Sequence, residues 1–133
     1  MKNGPYLFDT HALLFWVNKI NVSEKFIKYF DDQERKENVL ISAISFWEIA
    51  LLVKKKRIDL ENIEKWKNEI FSNTNLKLAN VDVSEMIKST LLPDLHKDPF
   101  DRLLIAQAVH RNAIFVTKDK QINKYELQTF WID

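Results

Sequence analysis

Cysteine is absent from all 133 residues. That excludes a disulfide framework, a cysteine-ligated zinc or iron–sulfur centre and a thiol nucleophile. Glycine occurs once, at Gly4. A Walker A loop and a dinucleotide-binding fingerprint each need several glycines at fixed spacing, so neither is present. Charge of one sign is lacking too: 20 basic side chains face 19 acidic ones, for a net charge of +1. At the level of the whole chain this gives no strongly basic surface for nucleic acid. Long apolar runs are also missing. The early run Ala12-Leu13-Leu14-Phe15-Trp16-Val17 follows Asp9 and His11, unlike a signal-peptide core. Glu48 or Arg102 interrupts the others well short of the roughly 20 residues of a membrane span. A cytoplasmic protein with no membrane partner is expected.

What is present is a core. The chain is 46% hydrophobic with nine Phe and four Trp, enough for one folded domain over residues 1–133. Tyr6-Leu7-Phe8, Val39-Leu40-Ile41 and Ile114-Phe115-Val116 are short runs rich in β-branched and aromatic residues, suited to strands buried on both faces of a parallel sheet. Leu76-Lys77-Leu78, which alternates, and residues 129–132 are weaker strand candidates. Between them lie helical spacings: Ile63, Trp66 and Ile70, then a segment from Ser84 containing Met86, Ile87 and Leu91. Strand alternating with helix predicts an α/β sandwich with a mostly parallel sheet of about five strands. Asn18, Asn38, Asn80 and Asn112 fall at element boundaries, where asparagine is expected to replace the scarce glycine in left-handed backbone.

Four acids stand in apolar or structurally exposed places. Asp9 directly follows Tyr6-Leu7-Phe8, at the strand edge where open α/β sheets bind ligands; it also suits the N-cap of the next helix, with Thr10 as the alternative cap. Glu48 lies in Ser42-Ala43-Ile44-Ser45-Phe46-Trp47-Glu48-Ile49-Ala50-Leu51-Leu52-Val53, a helix apolar almost all the way round. A carboxylate buried there must be paired, protonated or bound to a metal, unless that edge of the helix reaches water. Asp98-Pro99-Phe100-Asp101 reads as an N-cap, a proline at the first helical position and an acid in the first turn. That account leaves Asp101 free to face a site. Asp119 closes Ile114-Phe115-Val116-Thr117-Lys118-Asp119, again just past a strand. Parallel topology can gather these acids in one pocket. Their repulsion would then call for a hard cation, Mg²⁺ or Mn²⁺, able to activate water for phosphodiester hydrolysis.

With these residues in view, the chain resembles the PIN-domain family, specifically VapC-type toxins of toxin–antitoxin pairs. The matching pieces are Tyr6-Leu7-Phe8-Asp9-Thr10-His11, Ile41-Ser42-Ala43 through Glu48-Ile49-Ala50, His96-Lys97-Asp98-Pro99-Phe100-Asp101-Arg102-Leu103-Leu104-Ile105-Ala106-Gln107-Ala108, and Phe115-Val116-Thr117-Lys118-Asp119. The third is the most specific. The resemblance implies a three-layer α/β/α fold and a Mg²⁺- or Mn²⁺-dependent endoribonuclease restrained by an antitoxin, leaving 5′-phosphate and 3′-hydroxyl ends. It assigns Asp9, Glu48, Asp101 and Asp119 to catalysis and metal binding, with Asp98, Thr10 and Thr117 in support. A homodimer is the expected assembly.

Lys54-Lys55-Lys56-Arg57 closes the Glu48 helix; the helix dipole alone favours cations there, but they could also guide an RNA backbone. Arg102 could pair structurally or touch phosphate. His11, His96 and His110 raise a metal-free acid–base alternative on RNA. Trp16, Trp47, Trp66 and Trp131 suit core or interface better than base stacking. Leu13, Leu14, Trp16 and Val17, with Phe26, Ile27 and Phe30, are expected to form two short helices that offer apolar surface to a partner. Two readings compete with the nuclease: Mg²⁺-dependent phosphotransfer of the receiver or haloacid-dehalogenase kind, and a non-catalytic binding module whose acids are caps. With the four acids set aside from the 19, 15 remain against 20 basic groups, so the rest of the chain is mildly basic.

Overall fold

The computed structural model describes residues 4–133. Five short strands, β1 (Tyr6–Phe8), β2 (Val39–Ser42), β3 (Lys77–Ala79), β4 (Ile114–Val116) and β5 (Thr129–Phe130), form one sheet in the order β3-β2-β1-β4-β5. Every pairing is parallel, with Tyr6 opposite Val39 on one side and Ile114 on the other. Six helices connect them: α1 (Thr10–Asn18), α2 (Glu24–Arg35), α3 (Ala43–Lys54), α4 (Ile63–Asn73), α5 (Val83–Leu91) and α6 (Pro99–His110). A 3-10 turn, Lys120–Lys124, precedes β5.

Strand side chains alternate between faces, so the sheet builds two cores. Tyr6 and Phe8 point into one, with Leu13 of α1, Phe26 and Phe30 of α2, Ile49 of α3 and Ile70 of α4. Leu7 and Phe115 point into the other, with Leu104, Ile105 and Ala108 of α6. This is the three-layer α/β/α sandwich expected, and all its strand C-termini open on one edge.

The structure corrects several local expectations. Leu13, Phe26 and Phe30 are fully buried, so α1 and α2 spend most of their apolar faces on the sheet; Trp16, 8% exposed, and the half-buried Val17 keep only an edge toward solvent. A more exposed apolar stripe lies on α5, where Val83, Ile87 and Leu91 recur at four-residue spacing and are 66%, 56% and 76% exposed. The fourth strand candidate is shifted: β3 starts at Lys77, Leu76 is buried before it and Leu78 is exposed, as an edge strand allows. Of the four asparagines only Asn112 has positive φ; Lys19, Asn21, Glu37 and Lys56 take the other left-handed positions. Gly4 does need to be glycine: its φ is 100°, and a Cβ would lie 2.5 Å from the Asn38 amide nitrogen. Among the described residues no helix is long and apolar enough to cross a membrane.

Candidate active site

Each expected acid lies at the strand C-terminal edge or on a helix that starts there. Asp9 follows β1, is 9% exposed, and is the N-cap of α1, accepting the Ala12 N–H at 2.7 Å. The Thr117 hydroxyl, just past β4, also hydrogen-bonds its carboxyl. Burial nevertheless outweighs these bonds and raises the Asp9 pKa, and the nearby Glu48 charge adds to the rise.

Glu48 stands on α3, which the cap at Ser42 starts directly from β2. The helix buries only Ile44, Ser45 and Ile49, so Glu48 is half-buried rather than enclosed. It sits at a helix edge that reaches water. Thr10 lies 2.6 Å from Glu48 Oε1 and 3.0 Å from Ser45 Oγ. Its single hydroxyl proton goes to the carboxylate, where the bond is shorter and charge-assisted.

Asp98 caps α6 through the Phe100 N–H, with Pro99 in the first turn. Asp101 occupies that turn. Burial pushes its pKa up to about 7; the Asp98, Glu48 and Asp9 charges push the same way, and His96 opposes them. Asp119 caps the 3-10 turn, its Oδ1 accepting from Gln121 N at 2.9 Å. Thr117 Oγ1 accepts the Asp119 N–H at 3.1 Å, so one hydroxyl ties Asp9 and Asp119 to the same loop.

His96, which the sequence offered only as an acid–base alternative and not among the site acids, is central. His96 Nε2 lies 3.2 Å from Asp101 Oδ2 and 3.3 Å from Asp119 Oδ2. Ligand atoms of these three residues lie within 4.8 Å of one another, a separation that could hold a metal ion. Asp9 and Glu48 join them through their charge on Asp101. Among the described residues, His96 is the sole ion-pair partner of Asp101 and of Asp119. Crowded carboxylates with no lysine or arginine between them fit a hard divalent cation with oxygen ligands.

The basic residues divide. Arg102 faces inward: Nη1 donates to the carbonyls of Pro93 and His96, and Nη2 to those of Ser89 and Leu92, at 2.9–3.1 Å. Its donors fasten the α5–α6 connection, and the phosphate contact considered for Arg102 is not open to it. Lys54, Lys55, Lys56 and Arg57 are exposed, and Lys55 shares a cleft of about 450 Å³ with Glu48, Lys97, Asp98 and Phe100. Of the core or interface places expected for Trp47 the core is not taken: it is 59% exposed, and its ring meets Phe100 edge-on at 5.2 Å. His11 is exposed beside Phe15, and its charge opposes the rise at Asp9; His110 ends α6, where it meets Lys88 and Asp82 instead of His96.

Comparison with known proteins is consistent with this geometry. The profile of the PIN domain family matches residues 6–127. Ribonuclease VapC22 of Mycobacterium tuberculosis is 24% identical over 123 residues, covering 90% of each chain. A chain of VapBC2 from Rickettsia felis, crystallised on a promoter DNA fragment, superposes with a TM-score of 0.72 at 18% identity, over 96% of this chain and 98% of that one. A chain of DNA-bound VapBC from Salmonella typhimurium gives 0.68 at 16% identity, over 94% and 96%.

Proposed function

The chain belongs to the PIN domain family, and from that premise we propose that it is a single-domain, divalent-metal-dependent endoribonuclease, the toxin of a toxin–antitoxin pair. The carrying observation is that Asp101 is held above the carboxylate range by burial and by the Asp98, Glu48 and Asp9 charges. A cation bound among them would relieve that repulsion. An all-oxygen donor set of Asp9, Glu48, Asp101 and Asp119 suits Mg²⁺ or Mn²⁺. When bound, such an ion supplies an activated water and offsets charge developing on the phosphate. The similarity to a protein named as a ribonuclease and to VapBC assemblies supports both halves of the reading.

The chain's own side chains do the remaining work. Thr10 orients Glu48, and Thr117 with the Ala12 amide fixes Asp9. Asp98 starts α6 so that Asp101 falls in its first turn. Lys55 and Lys97, lining the cleft beside Glu48, give the RNA backbone salt-dependent contacts. The exposed Trp47 offers a base a stacking face.

The test is cleavage of RNA by the purified chain. We expect 5′-phosphate products, and loss of more than about 100-fold in rate on Asp101→Asn or Asp9→Asn, beyond the 10–100-fold typical of residues outside the coordination sphere. Cleavage that survives EDTA and both substitutions would sink the reading. Family membership sets aside the receiver and haloacid-dehalogenase alternatives. A non-catalytic module would bind no divalent cation at these acids.

Two protein partners follow. The antitoxin is assigned a groove of about 490 Å³ between α1, α2 and α4, with Trp16, Val17, Trp66 and Ile70 as an apolar floor and Glu34 and Arg35 on a mixed-charge rim. An amphipathic segment suits it. A second copy of the chain is assigned the α5 stripe, whose Val83, Ile87 and Leu91 form an apolar face that self-pairing would cover. Ile87→Glu is expected to give a monomer by light scattering. Cytoplasmic placement accompanies an RNA substrate.

A further inference from the structure

The α5–α6 connection, residues 92–98, is held more tightly than its position on the surface requires. Arg102 binds four of the carbonyls of this connection and the α5 end that leads into it, including that of His96 at 3.1 Å. Tyr125 donates its hydroxyl to the Pro93 carbonyl at 3.0 Å. The outcome is a fixed histidine. His96 Nδ1 accepts the Asp98 backbone N–H at 3.2 Å, and Nε2 is presented to Asp101 and Asp119.

The Nδ1 contact decides what Nε2 can be. A peptide N–H donates and cannot accept, so Nδ1 must offer its lone pair. The neutral ring then carries its proton on Nε2. A protonated nitrogen is a hydrogen-bond donor and has no lone pair in the ring plane for a metal. Its two neighbours, at 3.2 and 3.3 Å, are both carboxylate oxygens. An ionised carboxylate has about four lone-pair sites, so accepting one N–H leaves each acid able to bind a cation.

We propose that His96 is a positioning residue: its Nε2–H bridges Asp101 and Asp119, brings acids from two separate elements into register for the cation, and stays outside the coordination sphere. The proposal rests on the reading of these acids as metal ligands. It differs from the simple inspection of the cluster, in which a histidine beside two aspartates would be counted as a third ligand. Donation from outside the sphere leaves the ion with oxygen ligands at these acids; direct ligation would add a nitrogen and draw the preference toward transition metals.

Two substitutions separate the roles of the ring. His96→Gln places an amide nitrogen where Nε2 stands, as many bonds from the backbone, and so keeps the donor to the acids. His96→Asn instead places the amide near the Nδ1 position, able to accept the Asp98 N–H but too short to bridge. The measurement is Mn²⁺ binding to the full chain, followed by electron paramagnetic resonance, with pulsed detection of nitrogen coupled to the bound ion. His96→Asn and His96→Ala are expected to weaken Mn²⁺ binding 10–100-fold, and His96→Gln to recover most of it. Wild type should show no directly coordinated imidazole nitrogen. Such a nitrogen signal would overturn the proposal; so would unchanged affinity in His96→Asn, equal loss in His96→Gln and His96→Asn, or tighter binding in His96→Ala. Asp101→Asn keeps the two ideas apart. If it binds Mn²⁺ as wild type does, the reading of the acids fails and the bridge fails with it; if it loses the ion while His96→Asn does not, only the bridge fails.

Discussion

Two groups in this molecule share a composition, two acids and a histidine with ligand atoms within 4.8 Å of one another, yet their electrostatics are opposite. Asp82, Glu85 and His110 join the start of α5 to the end of α6. There Asp82 and Glu85 form a reciprocal capping box, and the fully buried Glu85 meets Arg111 Nε at 2.9 Å. His96, Asp101 and Asp119 sit at the strand edge, where Asp101 is pushed up to about 7 by burial and by neighbouring acids. The first group brings its own cation. The second lacks one: among the described residues no lysine or arginine pairs with Asp101 or Asp119. Counting acids and histidines does not tell a structural cluster from a metal site; the source of the positive charge does.

The largest expected effect would break that contrast at Arg111. Arg111→Met strands Glu85 as a buried, unpaired carboxylate and should cost about 3 kcal/mol, the lower end for a broken buried pair because Arg111 stays partly open to water. Adding Glu85→Gln should recover most of it in urea unfolding. A loss under about 1 kcal/mol would mean that Glu85 needs no partner, and the two clusters would no longer differ.

The next effect is a pH dependence in the cation-free protein. Asp101 titrates near 7 when folded, against 3.8 ordinarily. Between those values the folded state keeps a proton that the unfolded chain has released, so stability falls as pH rises through this window and levels off above it. With a side chain one-quarter exposed, the loss should be of order 2 kcal/mol. Asp101→Asn should flatten the curve, and saturating Mn²⁺ should raise the melting temperature more at pH 7.5 than at pH 5. A wild-type curve as flat as that of Asp101→Asn would remove the electrostatic ground for the site.

Much of this is readable from the chain alone, for identifiable reasons. Strands β1, β2 and β4 are covered on both faces, so they appear as unbroken apolar runs. Edge strand β3 has no such run, and its start lies one residue beyond the place that alternation suggests. Helix faces are harder: α1, α2 and α5 are all apolar on one side, but only the crossovers determine which side meets the sheet. The acids are legible because a strand end or a helix start marks Asp9, Asp101 and Asp119, and an apolar helix marks Glu48. His96 and Arg102 are not, because their roles come from residues 92–98 folding back on α6, a set of backbone carbonyls with no trace in side-chain pattern. Trp47 likewise takes a surface place on a helix whose composition reads as core.

The smallest expected effect concerns the other histidine and completes the contrast. His110 Nδ1 lies 2.7 Å from Lys88 Nζ, and its Nε2 is 3.6 Å from Asp82, beyond hydrogen-bond range. An exposed ring with one surface contact contributes little, so His110→Gln should change stability by less than about 0.5 kcal/mol. It should also leave Mn²⁺ binding untouched, because Lys88 and Arg111 already place positive charge beside these acids and a divalent cation would be repelled. The sharpest form of the measurement is a Mn²⁺ thermal shift compared between His110→Gln and His96→Asn. A shift lost in the first and kept in the second would place the cation at the wrong cluster. A shift kept in the first and reduced in the second is what a built-in counter-ion on one side, and its lack on the other, requires.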